Sequence, residues 1–454
     1  MAGWDADAMN RIHVVIAMLA VFLGVGLGSR DILSKREGRV AACAQEMLRG
    51  GDWWTPRIGG EARTRKPPLP YWASAASGLL LFKGDLTETA VRFPSFLAAW
   101  GTLILTFLIG SHAGLSARAS LLSSAVLATS WLFWNESRTA AADMPMTLFS
   151  TLALYLWLSQ VASKGRWLWR SILPWMALAG AFLAKGPVGI LVPLAVMALD
   201  LGVQRQWKRL PCLLPSLPAL GVFLMLTLPW FISMNAQQPG ASGQWWYETA
   251  GRFQSEGIDH YHPNPLYYFL GKLEGAFAPW IILLPWLAWE WRRRRASDRP
   301  TPPRLAWTWP VAALTIFSMS LSKREYYLLP VLPGLSLGVG WLLDEGLSGF
   351  LAWKSQRVKS LLRMTFLALS TAYLGLGLFI LPNREAEKSP RHLSQLTAAG
   401  LPEDPVPREI HIPNPDDIPQ WAFYLGRLNI AIQSDQDRIL AYRIPASPVT
   451  KESP

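Results

Sequence analysis

Long apolar runs alternate with short polar breaks along this chain, and the runs have the length of a bilayer rather than of a buried core helix. A hydrocarbon core about 30 Å thick takes roughly 20 apolar residues per helix. Runs of that kind lie at 11–29, 91–112, 117–135, 142–161, 170–185, 187–203, 211–233, 276–291, 305–321, 327–343 and 361–381. The run 71–82 (YWASAASGLLLF) is too short to cross and reads as an interfacial or re-entrant piece. The pattern predicts an all-α polytopic membrane protein with about 11–13 transmembrane helices. Three polar segments interrupt it: 30–90, 234–275 and the tail 382–454. The expected domains are a membrane domain over 1–381, with loops 30–90 and 234–275, and a small α/β C-terminal domain over 382–454. That tail carries a strand-like IHIP and an apolar WAFYLGRLNIAI. It is short for independent folding and is expected to pack on the membrane domain. No internal repeat or inverted symmetry is visible, which counts against a secondary transporter.

Composition agrees. Of 454 residues, 51% are hydrophobic and 16% charged, whereas soluble chains carry about 25% charged residues. An ordinary cytosolic enzyme and a disordered protein are both excluded. The net charge of +12 suggests nucleic acid only until the charges are placed loop by loop. With the N-terminus inside, the inner loops hold Lys164, Arg166, Arg205, Lys208, Arg209, the run Arg292 to Arg295, Arg299, Arg304, Lys354, Arg357 and Lys359. The short outer loops 136–141 and 322–326 hold only Arg138, Lys323 and Arg324. That asymmetry is the positive-inside signature, so no nucleic-acid partner is expected. Residues 12–29 are followed by no small-residue cleavage site and read as an uncleaved first helix. Cys43 and Cys212 fall on opposite sides, so no disulfide is expected.

The first outer loop is the most informative stretch: DILSKREGRVAACAQEMLRGGDWWTPRIGGEARTRKPPLPYW. Its residues 38–48 have helical spacing, with Val40, Cys43 and Met47 on one stripe and Gly50-Gly51 as a stop signal. Lys66-Pro67-Pro68 is extended, because proline disfavours helix before it. Lys35, Arg36, Arg39, Arg49, Arg57, Arg63, Arg65 and Lys66 outnumber the loop's acids. Such a loop suits a phosphate at the membrane surface; attraction to anionic headgroups is the plainer reading of the same charges.

The chain resembles the GT-C glycosyltransferases that use a polyprenyl-phosphate sugar, in particular the aminoarabinose lipid A transferase and the protein O-mannosyltransferase-like families. Glu37-Gly38-Arg39, Gly51-Asp52-Trp53, Pro56-Arg57, Gly60-Glu61 and Lys66-Pro67-Pro68-Leu69-Pro70-Tyr71-Trp72 carry the likeness in the first loop. Arg92-Phe93-Pro94-Ser95, Asp143-Met144-Pro145, Lys185-Gly186-Pro187, Pro229-Trp230, Pro279-Trp280, Ser322 to Pro330 and Phe423 to Arg427 continue it in order. All fall on the side assigned as outside, or at its edge.

The resemblance implies transfer of a sugar from undecaprenyl phosphate to an envelope acceptor (lipid A, another glycolipid, a glycan or a protein). It places the chain in the bacterial inner membrane, with a cytoplasmic N-terminus and a periplasmic active site and tail. A lipid-linked-sugar flippase and a catalytically inactive structural relative are the alternatives. Displacement at an anomeric carbon needs a base for the acceptor hydroxyl and cations for the departing phosphate. The family's base belongs to an acidic pair in the first loop, and here that pair reads Arg36-Glu37. Glu37 is the leading candidate base, with Asp31 and Asp143 as substitutes. Glu37 also reads as an ion-pair partner of Arg36 or Arg39, and Asp143 as a helix cap. Lys66 resembles the family lysine that meets the donor phosphate, with Arg57, Lys185, Lys323, Arg324 and Tyr327 as further candidates. A divalent metal ion is the one cofactor the pattern admits, through His260 and His262. The acid that helps bind it in relatives is Arg65 here, and His-x-His alone is a weak signal.

Overall fold

Proline, glycine and hydroxyl residues cut the apolar runs into helices shorter than a bilayer demands. A computed structural model describes residues 6–161, 171–243, 245, 264–296, 300–346, 356–386, 389–401, 406–410, 412, 417–428, 430–435 and 438–443. The chain opens with α1 (Ala6–Gly24), α2 (Lys35–Gly50), the hairpin β1 (Arg57–Ile58) and β2 (Glu61–Ala62), and α3 (Leu69–Leu81). It continues through α4 (Glu88–His112), α5 (Ala117–Ala128), α6 (Trp131–Ser137), α7 (Asp143–Val161), α8 (Ile172–Lys185), α9 (Val188–Val203) and α10 (Leu217–Gln237). Next come α11 (Tyr268–Ala276), α12 (Leu284–Arg295), α13 (Leu305–Met319), α14 (Leu332–Trp341), α15 (Gln356–Gly375) and α16 (Leu381–Ala386). The tail holds α17 (Pro390–Gly400), β3 (Arg408–Glu409), α18 (Ile418–Arg427), β4 (Ile430–Asp435) and β5 (Arg438–Arg443). The basic residues Lys164, Arg166, Arg299 and Lys354 lie outside the described residues.

Every expected apolar run contains helix, but several are broken. The run 117–135 divides between α5 and α6, where the Thr129 and Ser130 hydroxyls each donate to a carbonyl one turn back, at 2.7 Å. Gly186, at φ 79°, separates α8 from α9. Among the described residues, four stretches are long and apolar enough to cross a membrane: Glu88–His112, Trp207–Gln237, Glu325–Asp344 and Ser360–Arg384. Leu217, Met225 and Ile232 on α10, and Leu361, Met364 and Leu367 on α15, present exposed apolar side chains. In water such surface is costly; in lipid it costs nothing. The chain is an integral membrane protein.

The interior is helix on helix. Helix α7 packs between α4 and α8, and α14 packs on α5. The latter approach depends on Gly340, where a Cβ would meet Ser123 N at 2.6 Å and Ala119 O at 2.7 Å, both backbone atoms. Gly340→Ala is therefore expected to push α14 from α5, costing about 1–3 kcal/mol. A lowered melting temperature in detergent tests this, and an unchanged one would mean the helices separate freely.

The first loop folds largely as its pattern implies. Ser34 caps α2 by accepting from Glu37 N–H at 3.2 Å, which starts the helix three residues earlier than the spacing shows. Val40, Cys43 and Met47 are buried together, and Gly51, at φ 68°, donates its N–H to Met47 O. The tail forms an antiparallel sheet in the order β3-β5-β4. WAFYLGRLNIAI divides between helix α18 and strand β4. Helix α18 lies on α2, with Phe423 and Tyr424 in the same apolar cluster as Cys43 and Met47. Ile32 N–H donates to the Tyr424 hydroxyl at 2.7 Å. Arg391 of α17 pairs with Asp31 at 2.8 Å and with Glu88.

Candidate active site

Adjacent helical residues point about 100° apart, and at the start of α2 that rotation sends Arg36 and Glu37 to different places. Glu37 is 4% exposed and meets Arg92 of α4 through two parallel bonds, Nε to Oε1 at 2.7 Å and Nη2 to Oε2 at 3.0 Å. Its Oε1 also accepts from Ala140 N–H at 3.0 Å. Arg92 donates further to the carbonyls of Leu27, Arg30 and Asp31. This buried clamp ties α2, α4, the end of the first span and the approach to α7 to one guanidinium.

Arg36 points instead toward the membrane helices. Its Nη2 reaches Glu136 at 2.7 Å, its Nη1 reaches Asp143 at 2.9 Å, and its guanidinium lies 3.9 Å from the centroid of the Tyr326 ring. Burial acts to lower the Arg36 pKa, but Glu136 and Asp143 outweigh it and raise it, so the charge is secure. Asp143 begins α7, where the helix dipole favours an anion, and it also pairs with Lys185, the last residue of α8. Lys185 Nζ sits 4.4 Å from the Tyr327 ring centroid. Glu136 is 3% exposed, and its Oε2 is buried without a hydrogen bond. Burial raises the Glu136 carboxyl above the usual carboxylate range; Arg36 opposes the shift and Asp143 adds to it.

Arg36, Asp143, Lys185, Tyr326 and Tyr327 form one wall of a cavity of about 200 Å³, with Glu136 behind Arg36 and outside the lining. Among the described residues, Arg36, Arg39, Arg63, Lys66, Lys185 and Arg324 face a single lining carboxylate, Asp143. Tyr71, Tyr326, Tyr327 and the prolines Pro67 and Pro70 supply apolar surface. Such a cavity can hold a phosphate and leave one carboxylate within reach of the reaction.

The structure thus brings together Asp143, Lys66, Lys185, Arg324 and Tyr327 from four distant stretches of sequence. It separates the rest. Glu37 is consumed by Arg92 and does not line the cavity. Asp31 is paired with Arg391 of the tail. Arg57 is carried away by the β1–β2 hairpin and pairs loosely with Asp52 at 3.8 Å. Lys323 is 2% exposed and donates to Asn264 O at 2.9 Å, outside the lining. His260 and His262 lie outside the described residues. Among the described residues no group of three His, Cys, Asp or Glu is placed to hold a metal ion. The sequence pattern offers Arg36, Arg39 and Arg63 only as part of a basic loop suited to phosphate, and it does not single out Glu136 or Tyr326. The one available signal was the inverted charge at position 36, a cation that calls for an anion opposite it.

Residues 65–232 match the family described as dolichyl-phosphate-mannose-protein mannosyltransferase. The undecaprenyl phosphate-alpha-4-amino-4-deoxy-L-arabinose arabinosyl transferase of Pectobacterium carotovorum is 30% identical over 383 residues, 81% of this chain and 65% of that protein. A counterpart from Pseudomonas fluorescens is 30% identical over 349 residues, covering 74% of this chain and 60% of its own length. The chain thus spans less than two thirds of either relative. Among solved structures, ArnT from Cupriavidus metallidurans bound to undecaprenyl phosphate superposes with a TM-score of 0.73 at 21% identity, over 92% of this chain and 88% of that one. The Archaeoglobus fulgidus oligosaccharyltransferase gives a TM-score of 0.53 at 10% identity, over 92% and 63%. The chain has the fold of the Cupriavidus metallidurans ArnT, is similar in sequence to the arabinosyl transferases over 74–81% of its length, and matches the mannosyltransferase family model at 65–232.

Proposed function

We propose that this chain is a glycosyltransferase that moves a sugar from undecaprenyl phosphate to an envelope acceptor at the periplasmic face of the bacterial inner membrane. The observation that carries the reading is the cavity itself, with six cations around one carboxylate. Asp143 takes the acceptor's proton as its oxygen attacks the anomeric carbon. Lys66, Arg63 and Arg324 hold the phosphate as the lipid departs with the bond electrons. Arg36 stands beside Glu37 where the resemblance implies an acid, and its ion pair orients Asp143. Residues 30–90, 234–275 and 382–454 form the periplasmic parts in this reading.

The direct test incubates the protein in nanodiscs with a panel of undecaprenyl-phosphate sugars and native membrane lipid extract. Free undecaprenyl phosphate and a glycosylated product, detected by mass spectrometry, are expected. Donor binding without either product would replace transfer by lipid-linked-sugar handling. The ion pairs that occupy Asp143 give that second reading its physical basis.

Lys66→Ala is expected to weaken donor binding about 10- to 100-fold, the range of a charge-assisted hydrogen bond. Titration with undecaprenyl phosphate checks it, and unchanged affinity would remove Lys66 from the phosphate site. Orientation has its own test. Cys43 is buried, and burial pushes its thiol up to about 12, whereas Cys212 is exposed on the proposed cytoplasmic side. The thiolate is the reactive form. A membrane-impermeant maleimide should therefore label Cys212 in inside-out vesicles, leave intact spheroplasts unlabelled, and miss Cys43 in both. Labelling of Cys212 from outside would invert the topology.

A further inference from the structure

A second cavity, of about 500 Å³, lies between the C-terminal half of α2, the β1–β2 hairpin and the tail's α18 and β4. We propose that it is a binding site for a hydroxyl-rich saccharide, the remote part of an extended acceptor. Its role as an acceptor subsite rests on the transferase reading; the binding itself does not.

Two groups in its wall lack what a ligand would bring. Arg49 lines the cavity, half-buried, and among the described residues its guanidinium has neither a hydrogen bond nor an ion pair. Burial pulls its pKa below the ordinary value, with Glu46 opposing. Gln45 Oε1 is buried with no donor among the described residues. Unpartnered buried polar atoms are uncommon and costly, so each calls for a partner. Both side chains rest against α18 at Gly426, where a Cβ would meet Gln45 Cγ at 3.1 Å and Arg49 Nη1 at 3.2 Å. Docking of the tail therefore shapes the site.

The surrounding chemistry selects the class of ligand. Glu46, Asp52 and Glu61 stand with Arg49 and Arg57 around the cavity. Three carboxylates against two guanidiniums repel a bare phosphate, unlike the cation-rich cavity at the other end of α2. Sugar hydroxyls both donate and accept, which matches carboxylates, guanidiniums and an amide oxygen side by side. Met47, Ala422, Ile430 and Ile432 offer apolar wall for the C–H faces of a sugar ring. From Arg36 to Glu46 is ten residues of helix, about 15 Å at 1.5 Å per residue. An acceptor filling both places therefore has several linked rings. Binding energy gained this far from the reacting atoms can be spent on orientation there.

The test uses the full chain in nanodiscs, with short oligomers of N-acetylglucosamine, mannose and galacturonate and with inorganic phosphate as probes, read by saturation-transfer NMR. At least one oligosaccharide is expected to bind. Its affinity should fall about tenfold or more in Arg49→Gln and in Gln45→Leu and persist in Asp143→Asn. Undecaprenyl phosphate affinity, unchanged in the first two variants, reports that they are folded. The proposal is overturned if no oligosaccharide binds, if binding survives both substitutions, or if phosphate displaces the sugar. Saccharide binding with no transfer from any donor would sink the transferase reading and leave this site standing. Transfer whose acceptor KM ignores both substitutions would do the reverse.

Discussion

Asp143→Asn should lower turnover by about 10²- to 10⁴-fold, the contribution of a positioned general base, while undecaprenyl phosphate binds as well as before or better. The sign of the second effect follows from charge. Among the described residues Asp143 is the one carboxylate lining a cavity with six cations, and it neutralises part of Arg36 and Lys185. Its loss leaves those cations with more to offer an incoming phosphate. Turnover by mass spectrometry and donor affinity by titration separate the two effects. Turnover kept within a few-fold would remove Asp143 as the base. Glu37→Gln is the informative partner. Its carboxylate lies outside the cavity, so its effect should appear first in stability and reach turnover only as α2 loosens.

Breaking the clamp is expected to have the largest effect on stability. Among the described residues, Arg92→Met leaves buried Glu37 with Ala140 N–H as its side-chain donor and no ion-pair partner, and it removes the donor from three carbonyls. Breaking one side of a buried ion pair costs about 3–5 kcal/mol, because the remaining charge is uncompensated. The melting temperature in detergent should fall by several degrees or more, and turnover should fall with it as Arg36 loses its placement. Glu37→Met combined with Arg92→Met should be less damaging than the sum of the singles, since no lone charge is left. Strict additivity of the two substitutions would mean the pair is not coupled and that Glu37 has another partner.

The difference between Arg36 and Glu37 shows where sequence reading stopped. A carboxylate at position 37 is the base candidate that the family resemblance implies. Nothing local says which way α2 is turned about its own axis. That rotation is set by Arg92, 55 positions away, whose guanidinium holds Glu37 in the protein interior. Arg57 was misplaced for a similar reason. A two-residue hairpin closed by Arg57–Ala62 pairing turns it from the cation cavity toward the tail. The break in the run 117–135 came from hydroxyls bonding back to their own helix, a choice that mean hydropathy does not register.

The membrane-embedded character, the positions of the apolar runs, and the buried stripe and glycine stop of α2 were legible in the chain alone, and motif resemblance put forward Lys66, Asp143, Lys185, Arg324 and Tyr327 as candidates. These follow from composition, periodicity and short motifs, all properties of neighbours in the chain. Only the tertiary structure decided which acid meets the cavity, which cation stands beside it, and that a second polar cavity opens between the first loop and the tail. Those outcomes depend on side-chain direction and on contacts between segments tens to hundreds of residues apart. Burial fixes such contacts through the cost of leaving charges unpaired, and that cost becomes visible only once the partners are known.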